Sequence, residues 1–216
     1  MNLYLNTVSD QLWAALNKLM AEPAFDTFRL VGGTSLSLQL GHRESIDIDL
    51  FTDAAYGSLD FEMLDEVLLG LFPYVEKTFK GAVGMGTSYF VGATEKNSIK
   101  LDLFYTDPFV YALLKENGIR FSCVNEISAM KLEVVGQGGR KKDFWDLHEI
   151  LESHSLESLI ESYMKRYPYG HTKEEILEKL LDFSVAENDF TPNCYKNKAW
   201  ELIKLDFQML LQSKDE

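Results

Sequence analysis

The feature that most constrains the fold is a short segment, Ser45–Thr52, in which apolar and acidic side chains alternate. Successive side chains of a β-strand point to opposite faces, so this pattern predicts a strand with one apolar and one acidic face. Asp47 and Asp49 would then project from the same face. Two such carboxylates repel each other unless a cation neutralises them, and Mg²⁺ or Mn²⁺ suits their oxygen ligands. An edge strand with a solvated acidic face is the alternative that this segment leaves open.

A glycine pair, Gly32 and Gly33, precedes this strand at the end of a short β-prone run. The following residues, Thr34–Leu40, predict a short helix, although their alternating leucines also fit a strand. Glycines let a phosphate approach the backbone, and the free N–H groups of a helix start favour an anion. We expect Thr34 or Ser35 to add a hydroxyl donor. The segment is therefore a predicted phosphate-binding site, with an ordinary tight turn as the alternative.

Asp102 is a third acidic residue in an alternating pattern, because it lies between leucines in the segment Lys100–Phe104. If this segment forms a strand next to Asp47 and Asp49, the three carboxylates lie together. Asp102 would then ligate the same metal ion and serve as the base for an attacking hydroxyl. An ordinary exposed aspartate in a hairpin is the alternative.

The pattern along the whole chain predicts an α+β fold. A mixed-sheet core with an N-terminal helix is expected over residues 1–120, and a helical, bundle-like half over residues 121–216. Asn125 is the expected N-cap of the first helix of that half. Two further strands are predicted, Thr87–Thr94 and Ser98–Tyr105. The predicted helices are Asn6–Ala21, Phe61–Phe72, Asn125–Val135, Asp143–Ser153, Leu156–Arg166, Lys173–Phe183 and Ala199–Gln212.

Composition and charge limit the possible environments and partners. The formal net charge is -13 and the sequence pI is about 4.8, so broad electrostatic binding of nucleic acid is disfavoured. A local basic cluster, Arg140-Lys141-Lys142, could still dock a polynucleotide. We expect no signal peptide, no membrane span and two reduced thiols, and hence a cytoplasmic protein.

Taken together, the motifs resemble the polymerase-beta-like nucleotidyltransferase superfamily and, more narrowly, the AbiEii/AbiGii nucleotidyltransferase toxins. The resemblance extends from about residue 28 to about residue 150. The matching segments are Val31-Gly32-Gly33-Thr34-Ser35-Leu36, Arg43-Glu44-Ser45, Asp47-Ile48-Asp49, Leu101-Asp102-Leu103, Lys131, Arg140 and Lys142-Asp143-Phe144-Trp145-Asp146-Leu147.

The resemblance implies a role for several of these residues. Gly33 with a neighbouring hydroxyl would hold a nucleoside triphosphate (NTP), and Asp47 and Asp49 would ligate metal. Lys131 would offset charge on the phosphates, and Asp146 would be an essential acid. The phosphate contact is left open among Lys131, Arg140, Lys141 and Lys142.

The resemblance also implies a toxin that transfers a nucleotide from an NTP to RNA such as tRNA and is paired with an antitoxin protein. Two other functions stay open. One is nucleotidyl transfer to a small molecule, such as an antibiotic or metabolite. The other is a catalytically silent module that binds a nucleotide or a protein.

Overall fold

The computed structural model describes residues 2–78 and 84–212, and the chain divides into two compact units. Unit 1 comprises Met1–Gln39 and Ser45–Cys123, and unit 2 comprises Leu40–Glu44 and Val124–Glu216. The sequence did not indicate that Leu40–Glu44 belongs with the later helices. The division into folding domains at residues 120 and 121 stays a prediction.

Unit 1 contains a seven-stranded mixed sheet with the order β3-β4-β5-β2-β1-β7-β6. Strand β2 is parallel to β5 on one side and antiparallel to β1 on the other. The strands are β1 (Arg29–Leu30), β2 (Ile48–Thr52), β3 (Tyr74–Lys77), β4 (Gly86–Thr94), β5 (Asn97–Tyr105), β6 (Leu114–Glu116) and β7 (Ile119–Phe121). A mixed sheet combined with helices confirms the predicted α+β class.

Alternation along the central strands separates the core from the opposite face of the sheet. Ile48 and Leu50 of β2, like Leu101 and Leu103 of β5, are completely buried. The predicted strand was too long at its start, because β2 begins at Ile48. Ile46, which the alternation assigned to the apolar face, is 68% exposed.

Among its described residues, unit 1 also contains the α-helices α1 (Asp10–Ala21) and α3 (Phe61–Leu71) and all but the last residue of α2 (Gly32–Leu40). The side chain of Ser9 caps α1 and that of Asp60 caps α3, each accepting a backbone N–H of the first turn. The preference for a helix over a strand after the glycine pair is thus confirmed. Buried leucines of α1 and α3 join the core under the sheet.

In unit 2, the described residues that follow Cys123 form five α-helices joined by turns and irregular segments. Its helices are α4 (Val124–Gly136), α5 (Lys141–Leu151), α6 (Leu156–Arg166), α7 (Lys173–Lys179) and α8 (Trp200–Gln212). The bounds of α6 are those predicted. The predicted N-cap was wrong, because Asn125 lies inside the first turn of α4. Within the described ranges, no helix is long and apolar enough to cross a membrane.

Candidate active site

The register of β2 and β5 brings two of the predicted acids together. Asp49 lies directly opposite Asp102 on the neighbouring parallel strand, so their side chains share one face of the sheet. Two residues further along this face, the rings of Phe51 and Phe104 lie 5.9 Å apart. The predicted adjacency of the two acidic strands is therefore confirmed.

Asp47 lies one residue before β2 and level with the start of this acidic face. The first paired residues are Ile48 and Leu101, which are preceded by Asp47 and Lys100 respectively. The Lys100 ammonium donates a hydrogen bond to Asp102 Oδ2 at 2.5 Å. A lysine thus lies among the three predicted metal ligands.

The pKa of Lys100 reflects the three aspartates around it. Burial alone would lower the pKa of Lys100, but the hydrogen bond to Asp102 and the charges of Asp102, Asp47 and Asp49 raise it. The second oxygen of Asp102, Oδ1, is buried and has no hydrogen-bond partner among the described residues. A buried acceptor without a donor is costly, and a cation would satisfy it.

Gly32 brings the start of α2 against the Asp49 carboxylate. Its φ of +67° lies in the left-handed region, and a Cβ built on it would lie 2.2 Å from Asp49 Oδ2. The Val31 N–H donates to the Asp49 carbonyl oxygen at 2.9 Å, which ties this turn to β2. Both the conformation and the close approach therefore require glycine at position 32. The first backbone N–H groups of α2, which include that of Gly33, lack partners within the helix itself.

The hydroxyls of Thr34 and Ser35 face the protein interior. Both residues are fully buried. The Thr34 hydroxyl contacts the hydroxyl of Ser45 at 2.8 Å and donates to the carbonyl oxygen of Asp47. The Ser35 hydroxyl accepts a hydrogen bond from Gln39 at 3.0 Å. The expected phosphate contact of these hydroxyls stays a prediction. In the structure, the Thr34 hydroxyl holds the backbone of Asp47, and that of Ser35 bonds within its own helix.

The oxygen atoms available as metal ligands around Asp102 suit Mg²⁺ or Mn²⁺. The available ligands are carboxylate oxygens, which hard divalent cations prefer, and one of them is the buried Oδ1 of Asp102. Over residues 2–78 and 84–212, no group of three or more His, Cys, Asp or Glu side chains is arranged to hold a metal ion. Asp47, Asp49 and Asp102 thus supply suitable chemistry without forming a closed cage.

Within unit 2, Lys131 and Asp146 belong to a buried cluster of ion pairs. Lys131 of α4 lies 2.6 Å from Asp143 Oδ1 and 2.7 Å from Asp146 Oδ2, both on α5. Arg43 forms two hydrogen bonds to the Asp146 carboxylate, at 2.6 and 2.8 Å, and His42 contacts it at 2.8 Å. The cluster anchors the segment Leu40–Glu44 within unit 2.

The charges of this cluster compensate one another. Burial would raise the pKa of Asp146, but Arg43, Lys131 and the hydrogen bond from His42 hold it well below its usual value. Burial would lower the pKa of Lys131, but Asp143 and Asp146 raise it. Both groups are therefore charged near neutral pH and are paired within the protein.

The other basic residues left open by the sequence are distributed around the start of α5. Arg140 is about half exposed and pairs with Asp189, at 3.0 Å. Lys141 is buried, with its ammonium 5.4 Å from the centre of the Trp200 ring. Lys142 is partly exposed in the first turn of α5.

Lys100 and His42 contact predicted site residues without having been predicted to do so. Lys100 precedes Asp102 by two residues, and this spacing on a strand was enough to assign both side chains to one face. His42 carried no comparable signal, because its partner Asp146 is 104 positions away in the sequence.

Comparison with known proteins defines the class to which this fold and site belong, and the chain is a nucleotidyltransferase. The family described as "Nucleotidyl transferase AbiEii toxin, Type IV TA system" matches residues 14–214. The chain belongs to this family.

Individual proteins resemble the chain in sequence or in fold. A protein of Aquifex aeolicus (strain VF5), aq_aa25, is 30% identical over 161 residues, which cover 71% of this chain and 72% of the relative. Two solved structures share the fold. JHP933 from Helicobacter pylori has a TM-score of 0.56 at 19% identity, covering 97% of this chain and 90% of that one. MenT4, a nucleotidyltransferase toxin from Mycobacterium tuberculosis H37Rv, has a TM-score of 0.57 at 17% identity, with coverage of 92% and 82%.

Proposed function

We propose that this protein is a metal-dependent nucleotidyltransferase whose reaction centre is the acidic face of β2 and β5. The observation that carries the proposal is the direct pairing of Asp49 with Asp102 beside the glycine start of α2. Asp47, Asp49 and Asp102 would hold Mg²⁺ or Mn²⁺. The backbone at Gly32 and Gly33 would face the triphosphate.

In the proposed reaction, an acceptor hydroxyl oxygen forms a bond to the α-phosphorus of an NTP. The bond to the bridging oxygen of the β-phosphate breaks, and pyrophosphate leaves with that electron pair. Asp102 would accept the proton of the attacking hydroxyl. When bound, the divalent cations supply charge compensation at the phosphoryl oxygens.

The described structure supports different contributions from the remaining predicted residues. Thr34 would hold the backbone of Asp47 through its hydrogen bond. Lys131 and Asp146 would act through the ion pairs that anchor Arg43, and a direct contact with phosphate is the alternative. Lys142, which is partly exposed, is the proposed phosphate contact of the helical unit.

We further propose an RNA acceptor such as tRNA, a cytoplasmic setting and a partner antitoxin. The antitoxin is supported by the family description, which names a toxin of a type IV toxin-antitoxin system, and by the name of MenT4 as a nucleotidyltransferase toxin. The RNA acceptor and the cytoplasmic setting are carried forward from the sequence. The net charge of -13 favours the competing small-molecule acceptor, because it opposes broad contact with an RNA backbone.

Incubation with each α-labelled NTP, Mg²⁺ and total tRNA tests the proposal. Wild-type protein should label RNA, and Asp49→Asn should lower the rate at least about 100-fold, because one ligand of the transferring centre is lost. Asp53→Asn is the matched control, since Asp53 is an exposed aspartate four residues away and should retain the wild-type rate.

Two results would count against the proposal in different ways. Transfer to small hydroxyl compounds with none to RNA would contradict the RNA acceptor while retaining the enzyme. Binding of NTP without transfer to any acceptor would favour the silent binding module. Growth arrest on induced expression that Asp49→Asn abolishes would support the toxin function.

A further inference from the structure

Lys100 is in direct contact with one of the proposed metal ligands. Its ammonium lies 2.5 Å from Asp102 Oδ2 and is electrostatically coupled to Asp47 and Asp49. Lys100 and Asp102 are separated by two residues on β5, so strand geometry directs both side chains to the same face. The lysine therefore occupies an oxygen that a metal ion would use.

We propose that Lys100 is a built-in counter-ion that competes with the divalent cation for Asp102 and is displaced when the metal binds. This inference rests on the proposed function, because it concerns the same three carboxylates. It assigns Lys100 a positioning role that neither the family match nor the sequence motifs indicated.

Three observations support competition over a simple surface ion pair. The Asp102 side chain is only 16% exposed, so its contact with Lys100 is shielded from water more than an ordinary surface pair. The other Asp102 oxygen has no described partner, so the carboxylate is incompletely satisfied by the lysine. The Lys100 side chain is 39% exposed, so the ammonium has solvent into which it can move.

In the proposed exchange, the three carboxylates have a positive charge beside them both with and without metal. Without metal, one positive charge reduces the repulsion among Asp47, Asp49 and Asp102 and keeps the apo fold compact at this point. With metal, two or more positive charges replace it, and Lys100 is released. A mobile ammonium then stands at the edge of the site.

Mn²⁺ alone, titrated into the full-length protein and followed by the paramagnetic resonance of free Mn²⁺, tests this inference. Lys100→Met removes the competitor, so Mn²⁺ should bind about tenfold more tightly than to wild type. Lys100→Arg keeps the charge, and its planar fork can pair with both oxygens of Asp102, so this variant should bind Mn²⁺ no more tightly than wild type. Lys77→Met is the matched control, because Lys77 forms a comparable 2.7 Å pair with Asp65 elsewhere in unit 1.

Thermal unfolding gives a second readout that does not depend on turnover. In chelator, Lys100→Met should melt below wild type, and Mn²⁺ should raise its Tm more than it raises that of wild type. A merely structural ion pair would lower the Tm to the same extent with and without Mn²⁺.

The possible failures are distinguishable. If wild type binds Mn²⁺ and Lys100→Met binds it equally or more weakly, the counter-ion role is wrong and the proposed function stands. Equal tightening in Lys77→Met would also overturn the inference. If wild type and variants all fail to bind Mn²⁺, both the inference and the metal-dependent function are contradicted.

Discussion

The contact between Gly32 and Asp49 links backbone conformation directly to the position of a carboxylate that we propose as a metal ligand. The left-handed conformation of Gly32 is needed for the chain to pass from β1 into α2. The absence of a side chain there lets Asp49 Oδ2 approach to a distance that no Cβ would tolerate. A sequence that places glycine before a helix and alternating acids on the following strand therefore encodes one local structure.

Gly32→Ala should reduce nucleotidyl transfer far more than it reduces stability. The left-handed backbone costs about 1–2 kcal/mol for a non-glycine residue, and the new methyl group also displaces the Asp49 carboxylate. Gly57→Ala provides the control, because its φ is +81° but a Cβ there meets no atom within 4 Å.

Denaturant unfolding and transfer rates would be measured for both variants. Similar losses of stability with loss of transfer only in Gly32→Ala would support the role of the close approach. Equal transfer rates in the two variants would contradict it.

For single residues, the sequence predicted the positions of some side chains and not of others. The spacing of Asp47 and Asp49 was sufficient to predict that their side chains share a face, because side-chain periodicity is a local property of a strand. The pairing of Asp49 with Asp102 was only a conditional expectation, because it depends on which strands are neighbours and in which register. The interior partners of Thr34 and Ser35 were not predictable in that way. A hydroxyl near a helix start is equally suited to a ligand or to an internal carbonyl, and only packing decides.

Among the secondary-structure elements, α5 contains two buried aspartates that form ion pairs with cations of other segments. Asp143 caps the helix, because its carboxylate accepts a hydrogen bond from the Arg140 backbone N–H at 3.0 Å. The same carboxylate forms an ion pair with Lys131. One turn later, the Asp146 carboxylate contacts the side chains of Arg43, His42 and Lys131. This pattern favours a structural contribution from residues that the family resemblance presented as directly catalytic.

Asp146→Asn should therefore destabilise the protein by about 3–5 kcal/mol near neutral pH, because it leaves buried cations without their counter-charge. Asp189→Asn is the matched control, since it weakens a pair with Arg140, which is about half exposed, and should cost only about 1 kcal/mol. Urea unfolding of the two variants and wild type provides the measurement. A normally stable but inactive Asp146→Asn protein would contradict the structural reading and support a direct catalytic role.

The same residue predicts a pH dependence with a defined sign. The pKa of Asp146 is depressed in the folded protein, so its contribution is present above the unfolded pKa of about 3.9 and is lost as pH falls through the folded pKa. The stability difference between wild type and Asp146→Asn should be constant above about pH 5 and shrink below about pH 4. A difference that grows on acidification would have the wrong sign for this account.

Element lengths explain which parts of the fold the sequence revealed. The long strands β4 and β5 and the amphipathic α6 contain enough residues for their periodicity to be visible. Strands β6 and β7 have three residues each, which is too short for alternation to be distinguished from an irregular segment. Helix α7 ends at Lys179, four residues before the predicted end, because a helical pattern of side chains does not determine where the backbone turns.

At the scale of the whole molecule, composition and order of elements predicted the α+β class, since a mixed half followed by helices leaves few alternatives. The membership of Leu40–Glu44 in unit 2 was beyond prediction, because it depends on pairing of Arg43 with Asp146 across 103 positions. The strongly negative net charge predicts weak, salt-sensitive association with bulk RNA. Any productive RNA contact should therefore be local.

We propose above all that the acidic face of β2 and β5 binds the catalytic metal. A crystal structure of the protein with Mn²⁺ and a non-hydrolysable NTP would test it most directly through the anomalous scattering of manganese. The account predicts a peak about 2.1 Å from oxygens of Asp49 and Asp102, with the triphosphate at Gly33. Nucleotide bound at another site, or manganese bound only away from these carboxylates, would contradict it.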